Sequence, residues 1–217
     1  RTLRVRSLII EERYADAIEE MNELENQGVL NEKLLIRRAE ISFKLGQIEL
    51  ARTSYQDIWE NIGLIAAAHG LARCLIREER YQEVLDLIDS IDEDENHILV
   101  PIKLQSLQKL SRLSELLRYF EQRRALAEKY PRMFHFAANA EKASGNPTRA
   151  IELWRELLVV VPDDLEANYS IAATCYDNKE NINAKKYVDI TLKIDPANER
   201  AKWLSSQIHV RNEDWEL

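Results

Sequence analysis

Glycine and proline are scarce in this chain, five of each in 217 residues. An all-β fold of that length needs far more turn residues, so the shortage excludes it and favours helices. Cysteine is rarer still: only Cys74 and Cys175 are present. They fall in helices separated by two further helix pairs, which argues against a bridge between them. They read as buried free thiols in a reducing compartment, and the cytoplasm is the expected location. Arg73 and Arg77 lie near Cys74, yet an inert buried thiol is favoured over a reactive one. Long apolar runs are missing too. The longest, around residues 157–161, falls far short of a membrane span. No charged-then-apolar leader is visible, and the chain begins at Arg1 without Met, as a piece of a longer protein would. Positive charge is in deficit: the formal net charge is −8 and the isoelectric point about 5.2. That balance speaks against nucleic acid or an anionic membrane surface as the partner.

Catalytic signatures are equally absent. The chain holds no Walker A sequence, GxGxxG, GxSxG, HExxH or CxxC. Its four histidines, His69, His97, His135 and His209, are scattered. No set of nucleophile, base and orienting group assembles from the sequence, so a non-enzyme without metal or cofactor is expected.

What the chain does have is a repeat. Residues 134–164 (FHFAANAEKASGNPTRAIELWRELLVVVPDD) match residues 165–198 at an offset of 34. Ala138 aligns with Ala172, Ala150 with Ala184, Trp154 with Val188 and Pro162 with Pro196. Ala150 and Ala184 then extend backwards as a ruler through Leu116, Val84, Ala51 and Ala17, at intervals of 34, 34, 32, 33 and 34 residues. Four residues beyond each mark stands a bulky side chain: Met21, Tyr55, Ile88, Phe120, Trp154 and Val188. Twelve residues before stands a mostly small one: Ala39, Ala72, Leu104, Ala138 and Ala172. Small residues let two helices approach, and bulky ones fill the space beside them. A period of this length marks a helix–turn–helix unit that buries its apolar face only by stacking on its neighbours.

These residues resemble the tetratricopeptide-repeat (TPR) family. The likeness rests on Ala138, Ala172, Ala150, Ala184, Trp154, Pro162 and Pro196. It is looser in the middle, where Val84, Leu104 and Leu116 replace small residues. It implies an all-α, right-handed α-solenoid of helix pairs with a C-terminal capping helix. One domain over residues 1–210, of about six repeats plus the cap, and a flexible tail over 211–217 are expected. The family mainly binds other proteins in a concave groove lined by the first helix of each pair. The groove positions implied are Lys44, His69, Arg73, Arg77 and Lys109, then Arg132, His135, Asn139 and Lys142, then Tyr169 and Tyr176. The family's clamp for a C-terminal carboxylate is not reproduced. A second likeness concerns residues 69–89 (HGLARCLIREERYQEVLDLID), which look similar to repeat regions of some bacterial response regulators. It implies the output region of a larger signalling protein, for which self-association would matter.

Lys44, Arg77 and Lys109 stand at equivalent places in three successive repeats, and Arg73 faces the same way as Arg77. They predict a basic stripe that prefers an acidic partner segment. The competing explanation is that last-turn cations offset helix dipoles. Locally, residues 113–129 read as one long helix. The helix carrying Pro101 should start late or kink. Pro131 should lie in a first turn, and Asn146 should cap the helix opened by Pro147. Residues 92–96 form an acidic connector. Trp203, Leu204 and Ile208 are expected to cover the open end of the last repeat.

Overall fold

The computed structural model describes residues 2–28, 31–92 and 97–213. Of the acidic connector only Asp92 is among them, and residues 93–96 lie outside. Among the described residues there are thirteen α-helices and no strand. In chain order they come two by two: α1 (Thr2–Ile10) and α2 (Tyr14–Asn26), α3 (Glu32–Lys44) and α4 (Ile48–Ile62), α5 (Ile65–Arg77) and α6 (Tyr81–Asp89). Next come α7 (Val100–Lys109) and α8 (Leu113–Gln122), α9 (Arg132–Ala143) and α10 (Pro147–Val160), and α11 (Leu165–Asp177) and α12 (Asn181–Ile194). The last helix is α13 (Glu199–Glu213). The chain falls into two compact units, Arg1–Ser106 and Leu107–Leu217, with the boundary inside α7.

The turn inside each pair is built the same way six times. One residue takes a left-handed backbone: Glu12, Gly46, Glu79, Ser111, Gly145 and Lys179, with φ between 57° and 85°. The N–H of the next residue reaches back to a carbonyl five positions earlier, as in Arg80 to Leu75 at 2.9 Å and Glu180 to Cys175 at 2.8 Å. This is a Schellman closure, and it supplies partners for carbonyls that a helix end leaves bare. Only two of the six left-handed positions are glycine. A side chain there costs about 1–2 kcal/mol. Lys179→Gly is therefore expected to stabilise the protein by about 0.5–1 kcal/mol, after the greater freedom of glycine in the unfolded chain is subtracted. A urea midpoint equal to or below wild type would contradict this turn geometry.

The ruler is the core. Each mark from Ala17 to Ala184 is buried, and so is each bulky and each small partner position. In the N-terminal unit Tyr55, Ile58, Leu71, Leu75 and Ile88 form one cluster across α4, α5 and α6. Val5, Leu8, Met21, Leu24 and Ile41 form a second across α1, α2 and α3. In the C-terminal unit Phe120 meets Phe134 edge-on, centroids 5.9 Å apart, and Trp154 is 1% exposed. Each buried side chain of this size stabilises the fold by about 1.5–3 kcal/mol. Packing runs between chain neighbours, and α3 also touches α5, as α11 touches α13. Each unit is thus a short stack of helix pairs held by nearest-neighbour contacts.

Four local expectations change. Residues 113–129 are not one helix: α8 ends at Gln122, and Arg124–Leu126 form a 3-10 turn. Pro131 disfavours helical backbone at Tyr130, and the tightened turns shorten the connection and bury Ala127. Asn146 makes no side-chain cap; its amide donates to Glu141 at 2.8 Å instead. Pro131 stands just ahead of α9 rather than inside it. Trp203 is 60% exposed, while Leu204 and Ile208 are 2% each. Leu204 and Ile208 share the buried stripe at a spacing of four, and Trp203 is a fraction of a turn away from it. Pro101 behaves as expected, since α7 begins at Val100 behind a 3-10 turn, His97–Leu99. The final helix runs to Glu213, so residues 211–213 of the expected tail are helical, and 214–217 lie outside the described residues.

Candidate functional site

The first helices present the candidate residues, and the two units treat them differently. In the N-terminal unit Phe43, in the last turn of α3, is half-buried and forms a platform. The Arg73 guanidinium lies 4.4 Å from its ring centroid and that of Arg77 6.0 Å away. Lys44, the next residue, stands 5.8 Å from the Tyr14 ring. Arg73, Arg77 and Lys44 are all exposed. Most arginines of the chain, among them Arg13, Arg38, Arg80 and Arg149, are paired with carboxylates. Among the described residues Arg73 and Arg77 have no such pairing, only the ring. Lys44, Arg77 and Lys109 do sit in last turns, where the helix dipole favours them.

His69, one turn before Arg73, is half-buried. Burial holds its imidazole below the ordinary 6.5; Arg73 pushes the same way, and Glu40 opposes them. The folded protein therefore keeps His69 neutral at a pH where the unfolded chain already binds a proton. The stability it contributes is complete above about pH 6.5 and is lost as pH falls through the lower folded value. Urea midpoints at about pH 7.5 and about pH 5.5 are expected to differ more in wild type than in His69→Asn. An equal difference in the two proteins would remove His69 as a source of the pH dependence.

In the C-terminal unit the repeats themselves take up most of the candidates. Asp164, the N-cap of α11, accepts from Ala167 N–H at 2.7 Å and from His135 Nε2 at 3.1 Å. Lys142 pairs with Asp177 at 3.3 Å. Tyr169 lies under Arg200, 4.1 Å from ring to guanidinium, and Arg200 also pairs with Glu166 at 3.2 Å. Tyr176 lies under Arg211 at 3.4 Å, and Arg211 donates to the Tyr176 carbonyl at 2.6 Å. The capping helix thus covers both tyrosines. Arg132, over Phe136 at 5.8 Å, Asn139 and Lys109 remain exposed.

Sequence reasoning missed Phe43 as the platform and the arginines of α13 as covers. The signal was present: Phe43 and Arg77, or Glu166 and Arg200, are 34 residues apart, one repeat, and complementary in chemistry. Both cysteines are free and buried. Burial raises Cys74 and Cys175 to about 11 each. Among the described residues no group of three or more His, Cys, Asp or Glu is placed to hold a metal. Among them, too, no helix is long and apolar enough to cross a membrane.

Helix pairs of one repeat length, left-handed closures in phase and a core on the same ruler decide the architecture. The fold is that of tetratricopeptide-repeat proteins. A TPR protein from Parabacteroides merdae superposes with a TM-score of 0.76 at 16% identity, over 98% of this chain and 86% of its own. YrrB, described as a TPR protein with an unusual peptide-binding site, gives 0.62 at 18% identity, over 89% of this chain and 97% of its own. Human IFIT1, in a complex with m7Gppp-AAAA, gives 0.55 at 16% identity, over 96% of this chain and 55% of its own. The TPR fold therefore accompanies more than one class of ligand, and the site must speak for itself. No family model matches the chain in sequence, and no curated protein matches it.

Proposed function

We propose that this chain is a non-catalytic protein-interaction scaffold whose first-helix face, around Phe43 in the N-terminal unit, takes an acidic segment of a partner protein. The observation that carries the reading is the pair Arg73 and Arg77: exposed, without carboxylate partners among the described residues, and stacked on one ring. A guanidinium resting on an aromatic face has already lost part of its water and freedom, so less is lost when a carboxylate arrives. Dipole compensation accounts for Arg77 but not for Arg73, which stands a turn before the helix end. Arg132 and Lys109 offer further cations in their own unit, exposed and without a carboxylate partner among the described residues. The reading takes residues 1–210 as one repeat domain without metal or cofactor, in a reducing compartment such as the cytoplasm.

With a partner recovered by pulldown, calorimetry compares wild type with Arg73→Glu/Arg77→Glu, both checked for folding. The double reversal is expected to weaken binding by about 2 kcal/mol or more, and wild-type association is expected to slow as salt is raised. An affinity that ignores both the reversal and the salt would leave Arg73 and Arg77 without a binding role.

A further inference from the structure

The N-terminal unit carries a cleft of about 480 Å³ between α1, α3 and the start of α5. Ile9, Ile36, Leu64 and Ala66 line it, and Arg6 and Lys33 stand on its edge. Ile9, Ile36 and Leu64 are half-buried, so an apolar floor faces solvent. Arg37 and Glu40 also line it but are paired with each other at 2.7 Å. Arg6 and Lys33 are exposed and have no carboxylate partner among the described residues; Glu32 alone opposes them, which leaves the rim positive.

The cleft and the basic platform lie along the same two helices. Ile36 and Phe43 are both on α3, and Ala66 and Arg73 are both on α5, seven residues apart in each case. Seven residues of helix rise about 10 Å. An extended peptide covers that distance in about three residues. We infer that the unit binds a short peptide that carries a bulky apolar residue in the cleft and carboxylates about three residues away on Arg73 and Arg77. This deepens the reading above and rests on it: the acidic part is held by the platform, while the apolar residue sets the register. An acidic segment alone can shift along the face, because each exposed cation attracts it in the same way. Burial of one side chain in the cleft supplies a fixed position and a short-range affinity that salt does not screen.

A phage library of random twelve-residue peptides, panned against the full chain, tests this. The expected result is enrichment of sequences with a bulky aliphatic or aromatic residue and Asp or Glu three to four positions away. A fluorescent copy of the most enriched sequence is then titrated against wild type, Ala66→Phe and Arg73→Glu/Arg77→Glu. Ala66 is exposed, so the phenyl ring fills the cleft without entering the core. Each variant is expected to lose about tenfold or more in affinity. Enriched peptides that are acidic, lack the apolar residue and bind Ala66→Phe like wild type would overturn the inference and leave the acidic-segment reading standing. Enriched peptides indifferent to the arginine reversals, or no enrichment, would overturn both.

Discussion

Gly70→Ala is expected to destabilise the protein by about 3 kcal/mol, near the upper end of what overpacking costs. Gly70 stands inside α5, where replacing glycine by alanine ordinarily gains about 1 kcal/mol in helix propensity. Here the sign should reverse. A Cβ on Gly70 would lie 2.4 Å from Cε1 and Cζ of Tyr55. That tyrosine is 2% exposed and belongs to the same buried cluster as Ala39, Ala72 and Ile88, so close packing resists its displacement. A second substitution separates the clash from any other role of the glycine. In a Tyr55→Ala background the obstruction is gone, so Gly70→Ala should become neutral or mildly stabilising. The coupling between the two sites should be about 2–4 kcal/mol by urea unfolding. Additive effects would mean that Tyr55 and Gly70 do not touch.

Tyr55 shows how far the sequence could be read. Its place on the ruler, four residues after Ala51, marks it as a filler of the space beside a helix contact, and it is buried. Gly70 is the surface it fills against. That residue belongs to the next pair and carries no periodic mark, because none of the other repeats has glycine there. One-dimensional patterning records which positions are buried; it does not record which buried atoms meet. Trp203 failed for the same reason at closer range. Any apolar residue on the capping helix qualifies by composition, and the packed stripe of Leu204 and Ile208 decides which one is covered. Asn146 had the right type for a cap, but Glu141 competed for its amide. The candidate site divides along similar lines. Arg73 and Arg77 were legible because helical spacing puts them on one face. The loss of Tyr169 and Tyr176 to Arg200 and Arg211 was not, because the capping helix had been read for its apolar residues alone.

Trp154→Ala is expected to cost about 3–5 kcal/mol, a large share of the stability of a typical domain. Trp154 is 1% exposed in α10, which packs on both α9 and α11. Removing the indole leaves a void in a close-packed interior, which the surrounding helices can fill only in part. Trp154→Phe is the sharper test. The indole Nε1 is buried without a hydrogen-bond partner among the described residues. Such a donor costs about 1–3 kcal/mol that a phenyl ring does not incur. The smaller ring forfeits some packing, and the two effects oppose each other. Trp154→Phe is therefore expected within about 1 kcal/mol of wild type, read from urea midpoints followed by circular dichroism. Equal losses for phenylalanine and alanine would mean that the whole indole, its N–H included, is needed to hold the pair together. An unchanged Trp154→Ala would be more serious, because the repeat phase that places Trp154 in the core also places every other residue on the ruler.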